Sequence, residues 1–187
     1  MKLALVTSNV NKYREMSEVA LELGFELEMV PGLKFELQAD SLEDVARISA
    51  LFSYVLLGRP VIVEDAGLFI DALNGFPGVY SNYAYRTIGI RGVLKLLEGV
   101  SDRRACFRSA ACIVDGSNVV LGLGEVCGEI VESPRGDKGF GFDPIFRPFG
   151  SDRTFGEMDV REKNVYSHRA MSTRKALLTF KKLIESS

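Results

Sequence analysis

The run Gly-Phe-Gly-Phe-Asp-Pro-Ile-Phe at 139–146 interleaves two aromatic rings, Phe140 and Phe142, with glycines and sets an acid, Asp143, beside them. Glycine lets the backbone approach a ligand closely, and an aromatic ring offers a flat face on which a nucleobase can stack. Gly141, between the two rings, is part of that reading. The competing reading is a turn into a buried strand, Pro-Ile-Phe. Three other segments weigh on the choice. Together they offer a grip for phosphate, carboxylates for a metal ion and donors for a base edge.

The first is Thr7-Ser8-Asn9-Val10-Asn11-Lys12, between an apolar run and an amphipathic one. A strand-to-helix junction of this kind points backbone N–H groups and a helix N-terminus at an anion. Thr7, Ser8 and Asn9 add short polar side chains, and Lys12 adds a point charge. The Gly-x-x-x-x-Gly-Lys pattern of a Walker loop is absent, so a capped turn with a solvated lysine is the plain alternative.

The second segment is Glu64-Asp65, at the expected end of the apolar strand Val61-Ile62-Val63. Two adjacent acids near a core are costly unless a cation or hydrogen bonds compensate them. Magnesium takes carboxylate and phosphate oxygens, and a carboxylate here can accept a proton from an attacking water. Neighbouring strand residues point to opposite faces, so one acid is expected in the site and the other in support. The third segment is Ser167-His168-Arg169, with Lys163 five residues ahead of the only histidine. Lys163, His168 and Arg169 suit an anion or a base edge better than proton transfer. Gly122-Leu123-Gly124 lacks the third glycine of a dinucleotide loop and reads as a β-bulge.

These segments need elements to hold them. Residues 3–6 read as a buried strand. Met16, Val19, Ala20 and Leu23 give helical spacing over 11–23, with Gly24 as the stop. Alternation over 25–30 gives a half-buried strand, broken by Pro31-Gly32. Ser41-Leu42-Glu43-Asp44 resembles a capping box and opens a helix that runs to about Leu57. A short strand over 60–64 follows. Strand, helix, strand, helix, strand is an α/β opening. Two long strands, 104–114 and 119–131, join at Asp115-Gly116 as a hairpin, so the sheet is mixed. A last amphipathic helix spans 169–184. No repeat or linker divides the 187 residues, which are expected to form one domain.

The composition excludes several classes. A net charge of −2 speaks against a protein that coats nucleic acid, which needs a basic face. No apolar run approaches the ~20 residues of a membrane span, and the N-terminus turns polar too soon for a signal peptide. A cytoplasmic location is expected. Cys106, Cys112 and Cys127 are odd in number and contain no Cys-x-x-Cys, so buried reduced thiols are expected. The single glutamine, Gln38, is a hint of a thermophilic source.

Taken in order, Thr-Ser-Asn-x-x-Lys, Glu-Asp-x-Gly-Leu, Leu-Asn-Gly-Phe-Pro-Gly-Val-Tyr-Ser, Gly-Phe-Gly-Phe-Asp-Pro-Ile-Phe and Ser-His-Arg resemble the inosine triphosphate pyrophosphatase family over essentially the whole chain. The resemblance implies hydrolysis of ITP, XTP and their deoxy forms to the monophosphate and pyrophosphate, with magnesium. It also implies an elongated α/β fold with a mixed sheet flanked by helices, two lobes around a central cleft, and a homodimer.

Carried over residue by residue, the resemblance makes Thr7 to Lys12 the phosphate loop. Glu36 and Asp65 become metal-binding acids, with Glu64 a further candidate, and Asp65 becomes the proton acceptor. Ala66 follows on the substrate side, where many relatives carry Ser or Thr. Phe140, Gly141, Phe142 and Asp143 become the base-binding segment, with Phe142 where many relatives have Trp or Tyr. Lys163, His168 and Arg169 complete the substrate contacts. Donors facing a purine 6-oxygen reject adenine, whose amino group leaves them unpaired at roughly 1–3 kcal/mol each. A sensor that binds without turnover is the alternative, and the acids weigh against it.

Overall fold

The computed structural model describes residues 1–32 and 37–186, so the metal candidate Glu36 lies outside the described residues. The opening follows the sequence pattern: β1 (Lys2–Val6), α1 (Val10–Glu22), β2 (Glu26–Val30), α2 (Leu42–Leu57) and β3 (Val61–Ile70). Then come β4 (Pro77–Gly78), α3 (Ser81–Thr87), α4 (Gly89–Leu96), β5 (Arg104–Val114) and β6 (Val119–Ile130). β7 (Phe146–Pro148), α5 (Val160–Tyr166) and α6 (His168–Glu185) close the chain. The described strands form one seven-stranded sheet, ordered β2-β1-β3-β5-β6-β7, with β4 also on β3. β1 pairs with β2 and β3 in parallel, and the other pairs are antiparallel. This is the expected mixed α/β class.

The sheet separates two packed layers. On one face Ile62, Ala111 and Ile113 meet α1 and α6 through Met16, Leu177 and Phe180. On the other, Val61, Val63, Ala110 and Cys112 meet α2 through Ala46 and Ala50. No helix among the described residues is long and apolar enough to cross a membrane.

Three departures from the sequence reading matter for the site. First, β3 does not end at Glu64. It runs on to Ile70, paired with β5 along its whole length, so Glu64 and Asp65 lie mid-strand. β1 stops earlier: its last partner on β3 is Ile62, and β4 begins pairing only at Leu68. Between Ile62 and Leu68 that edge of β3 is open among the described strands. Both acids sit in the gap, beyond the carboxyl end of a parallel neighbour, where α/β sheets place their ligands.

Second, Gly122 and Gly124 form no bulge, because the β5–β6 register passes through them unbroken. A Cβ on Gly122 would lie 2.2 Å from the carbonyl oxygen of Ser172, and one on Gly124 2.0 Å from that of His168. The two glycines let α6 lie directly on β6, which fixes the height of His168 above the sheet.

Third, the hairpin joins two cysteines across the four-residue turn that the strand bounds imply. Asp115 caps it, accepting from the N–H groups of Ser117 and Asn118 at 3.0 and 2.7 Å. An Asp-Gly turn of two residues would set Cys106 against Glu125. The longer turn moves the register by two, places Cys106 opposite Cys127, and the two form a disulfide. The expectation of reduced thiols is thereby corrected for this pair. Cys112 is a buried free thiol, as expected.

Candidate active site

Six buried or nearly buried charges alternate in sign through the interior. Asp143 pairs with Lys163 (2.6 Å), Lys163 with Glu15 (2.7 Å), and Glu15 with Arg169 (2.6 Å). Arg169 then reaches Glu64 (3.1 Å), and Glu64 reaches Lys12 (2.8 Å). Ser109 donates to Glu64 Oε1 at 2.6 Å. The chain of charges runs from the glycine–phenylalanine segment to the loop after β1. Removing one member of such a chain leaves a neighbour buried and uncompensated, at about 3–5 kcal/mol.

The chain sets ionisation states. Burial opposes the charge on Glu64, but Arg169 and Lys12 outweigh it and hold the carboxyl far below its usual range. Burial also works against Glu15, and again Arg169 and Lys163 keep it low. Asp143 has Lys163 and the N–H of Phe140 to offset its burial and the nearby charge of Glu15, and these fall short, so its carboxyl is raised. Burial would lower Arg169, but Glu64 and Glu15 outweigh it and hold the guanidinium charged.

Each group has a local reason to be where it is. Asp159 and Glu162 cap α5 reciprocally, and that helix turns Lys163 inward. Ser167 ends α5 and begins α6, accepting from Ala170 N–H at 3.1 Å. His168 and Arg169 are therefore the first two residues of a helix seated on Gly122 and Gly124. Gly139 and Gly141 take positive φ, 71° and 62°, which turns the chain tightly enough for Phe140 N–H to reach Asp143 Oδ2 at 2.8 Å. Lys163 and Arg169 lie over the Phe140 ring, at 4.9 and 5.1 Å from its centroid. The two aromatics of this segment thus differ. Phe140 is half-buried and faces the cations, whereas Phe142 is buried in the core against the edge of Tyr85.

The segment Thr7 to Lys12 wraps the N-terminus of α1. Thr7 Oγ1 accepts from Asn9 N–H, and Asn9 Oδ1 accepts from Asn11 and Lys12 N–H at 2.9 and 3.2 Å. Ser8 accepts from Gly32 N–H, and Val10 is exposed at the start of the helix. Asn9 occupies amides that an anion could otherwise take, so a phosphate here competes with the cap. Lys12 also donates to the backbone carbonyl of Glu64 at 3.2 Å, across the open edge of β3.

Asp65 stands on the other face of β3. It opposes Ala110 and shares the side of Val63, while Glu64 and Ala66 share the side of α6, opposite Ala111 and Ser109. The division of the two acids between faces is as expected. On Asp65's face a cavity of about 510 Å³ opens between the start of α2 and the sheet. Asp40, Glu43, Phe69, Arg108, Glu125 and Lys175 line it. On the α6 face Lys163, His168 and Arg169 are each at most 3% exposed. The structure thus brings Lys12, Glu64, Lys163, Arg169, Phe140 and Asp143 together on one side and sets Asp65 and the cavity on the other.

Sequence reasoning missed Glu15 and Ser109. The signal for Glu15 was present: an acid on the stripe shared with Met16 and Val19, one turn after Lys12, on a face that buries. Ser109 sits in an otherwise apolar stretch of β5, where a buried hydroxyl needs a partner. Among the described residues the one tight cluster of metal-binding side-chain types is Cys106, Glu125 and Cys127, and its cysteines are joined to each other.

Comparison with known proteins gives the same answer from three directions. The model of the Ham1 family matches residues 3–179. A dITP/XTP pyrophosphatase of Hyperthermus butylicus is 51% identical over 170 residues, covering 91% of this chain and 90% of the relative. That of Saccharolobus solfataricus is 47% identical, with 100% of this chain and 95% of the relative covered. Among solved structures, a HAM1 protein from Coxiella burnetii superposes with a TM-score of 0.80 at 31% identity, covering 100% of both chains. A nucleoside-triphosphatase, dITP/XTP pyrophosphatase, from Mycobacterium abscessus gives 0.70 at 35% identity, covering 90% of this chain and 95% of that one.

Proposed function

The chain belongs to the Ham1 family, and on that premise we propose that it hydrolyses non-standard purine nucleoside triphosphates, dITP, ITP and XTP among them, to the monophosphate and pyrophosphate. The buried ion chain carries this reading. It ties an aromatic platform to a lysine beside an open strand edge, with an acid one residue along. A nucleotide needs those parts in that order: base, triphosphate, water.

The roles follow from chemistry. Phe140 stacks on the purine, and Phe142 backs the segment from the core. Arg169 and Lys163 carry only N–H donors, which match a 6-keto oxygen and leave nothing to accept from adenine's amino group. Lys12 and the Thr7–Asn11 loop neutralise charge on the departing pyrophosphate. Asp65 orients the attacking water or takes its proton. Magnesium belongs to the same proposal, held by Asp65 and Glu36. Around the neighbouring cavity Glu125 is already paired with Arg108 and Lys175 lies in the same lining, while the carboxylates Asp40 and Glu43 suit a hard cation. When bound, it would neutralise triphosphate charge. Glu64, already engaged by Lys12, Arg169 and Ser109, anchors cations of the protein instead.

A cytoplasmic homodimer completes the proposal. α2 turns Ile48, Leu51, Val55 and Leu56 to the surface, an apolar stripe suited to a second copy. Sedimentation equilibrium tests it, and a monomer at all concentrations would refute it. For the activity, the purified protein is incubated with ITP, XTP, dITP and ATP, with and without magnesium. Equimolar monophosphate and pyrophosphate from the first three are expected. Diphosphate with orthophosphate would refute the proposed cleavage, and activity unchanged by chelation would remove magnesium from it.

A further inference from the structure

A buried histidine usually has one ring nitrogen pinned by a carbonyl or carboxylate, which fixes both ring plane and tautomer. His168 is 1% exposed, yet neither Nδ1 nor Nε2 has a hydrogen-bond partner among the described residues. Something else must hold the ring. Phe107 lies against it at 4.7 Å between centroids, with the planes only 8° apart. Phe155 lies further off, at 6.5 Å and 24°. Phe107 is itself fixed edge-on by Phe146 at 4.8 Å. The ring plane of the only histidine is therefore set by an aromatic stack, and its nitrogens are left to a ligand.

We infer that Phe107 positions His168 for the purine by stacking alone, so that the bound base, and not the protein, selects the imidazole tautomer. The inference rests on the nucleotide reading above. Burial, reinforced by Arg169 and Lys163, holds the imidazole uncharged. A neutral imidazole has one donor and one acceptor, and moving the proton exchanges them. An unpinned His168 can give a hydrogen bond to a keto oxygen or accept one from a ring N–H or an amino group. It adapts to hypoxanthine and xanthine alike and has no power to reject adenine. Rejection then falls to Arg169 and Lys163, which cannot accept and which Glu15 holds in place.

The chain's single histidine makes the test direct. Nitrogen chemical shifts of His168 are recorded by NMR in the free protein and with IMP bound. We expect tautomer-averaged shifts in the free protein, both ring nitrogens lying between donor and acceptor values, and one tautomer in the complex. A single fixed tautomer, or a charged ring, in the free protein would overturn the inference.

Phe107→Leu gives the second arm. It should raise KM for ITP roughly three- to tenfold, the size of a lost stacking contact, with kcat little changed. In a His168→Ala background Phe107→Leu should have no further effect on KM; an equal effect there would mean that Phe107 is merely structural. Should Phe107→Leu not fold, the wild-type spectra decide alone. Pyrophosphate release from ITP by the wild type is measured alongside. If it fails, the nucleotide reading fails; if it holds while the tautomer is fixed, only the role of Phe107 and His168 falls.

Discussion

Glu64 and Asp65 are neighbours in sequence and opposites in circumstance. Glu64 faces α6, with both carboxylate oxygens committed to Lys12, Arg169 and Ser109. Asp65 faces the α2 layer, opposite Ala110, which lines a cavity of about 510 Å³. One residue's step along a strand separates a charge tied into the buried ion chain from one on the opposite face of the sheet, the acid proposed to act on the attacking water. The difference teaches that acidity and burial do not identify a catalytic group. What matters is whether the carboxylate is held by the protein's own buried cations, as Glu64 is.

The comparison can be broken by exchanging charge for amide on each side. Asp65→Asn keeps size and should lower kcat for ITP roughly 10²- to 10⁴-fold, the range of a lost general base, with thermal stability little altered. Glu64→Gln should do the reverse in kind: a loss of about 3–5 kcal/mol in urea unfolding, because Arg169 and Lys12 lose a buried partner. If Glu64→Gln abolishes turnover at full stability while Asp65→Asn is active, the assignment of the two acids is reversed.

Selectivity sharpens the contrast. Arg169→Ala would strand Glu15 and Glu64 in the core, so Arg169→Lys is the cleaner variant. It keeps the charge and removes the planar fork. The ratio of kcat/KM for ITP over ATP should fall roughly tenfold, the worth of one matched donor. An unchanged ratio with both values lowered would move Arg169 from base reading to phosphate binding.

The smallest expected effect is on pH dependence. The folded-state pKa of His168 is depressed by burial, so below about pH 6.5 the unfolded chain binds a proton that the folded chain does not. Stability is then complete above about pH 6.5 and falls by up to about 1.4 kcal/mol per pH unit below it. His168→Phe should remove that slope between pH 6.5 and about 5, as read by urea unfolding at each pH. Glu64 and Glu15, held low by their cations, keep their contributions through this window and lose them only at more acid pH.

Much of this was legible beforehand. Apolar spacing placed α1, α2 and α6 within a residue or two, and Pro31-Gly32 marked the end of β2. Lys12, Glu64, Phe140, Asp143, Lys163 and Arg169 meet, whereas Asp65 stands on the opposite face of the sheet. What was illegible depended on register and on neighbours distant in sequence. Cys106 and Cys127 are 21 residues apart, and only the pairing register of the hairpin brings them opposite each other. The glycines at 122 and 124 looked like a bulge because their reason, the backbone of α6, lies some fifty residues further along. The partners of Glu15, Lys163 and Arg169, are 148 and 154 residues away in sequence.

That distance has a consequence for synthesis. The alternating charges draw on α1 at the beginning of the chain and on α5 and α6 at its end. Bonds closing so long a loop form after local structure does, because the entropy of closure must first be met. Until residue 169 is available, Glu15 and Glu64 lack the guanidinium they share and have every reason to stay in water. A growing chain therefore carries residues 7–12 and Asp65 before Lys163 and Arg169 exist to join them. Until its last helices are made, the chain lacks the buried ion pairs that join its two ends.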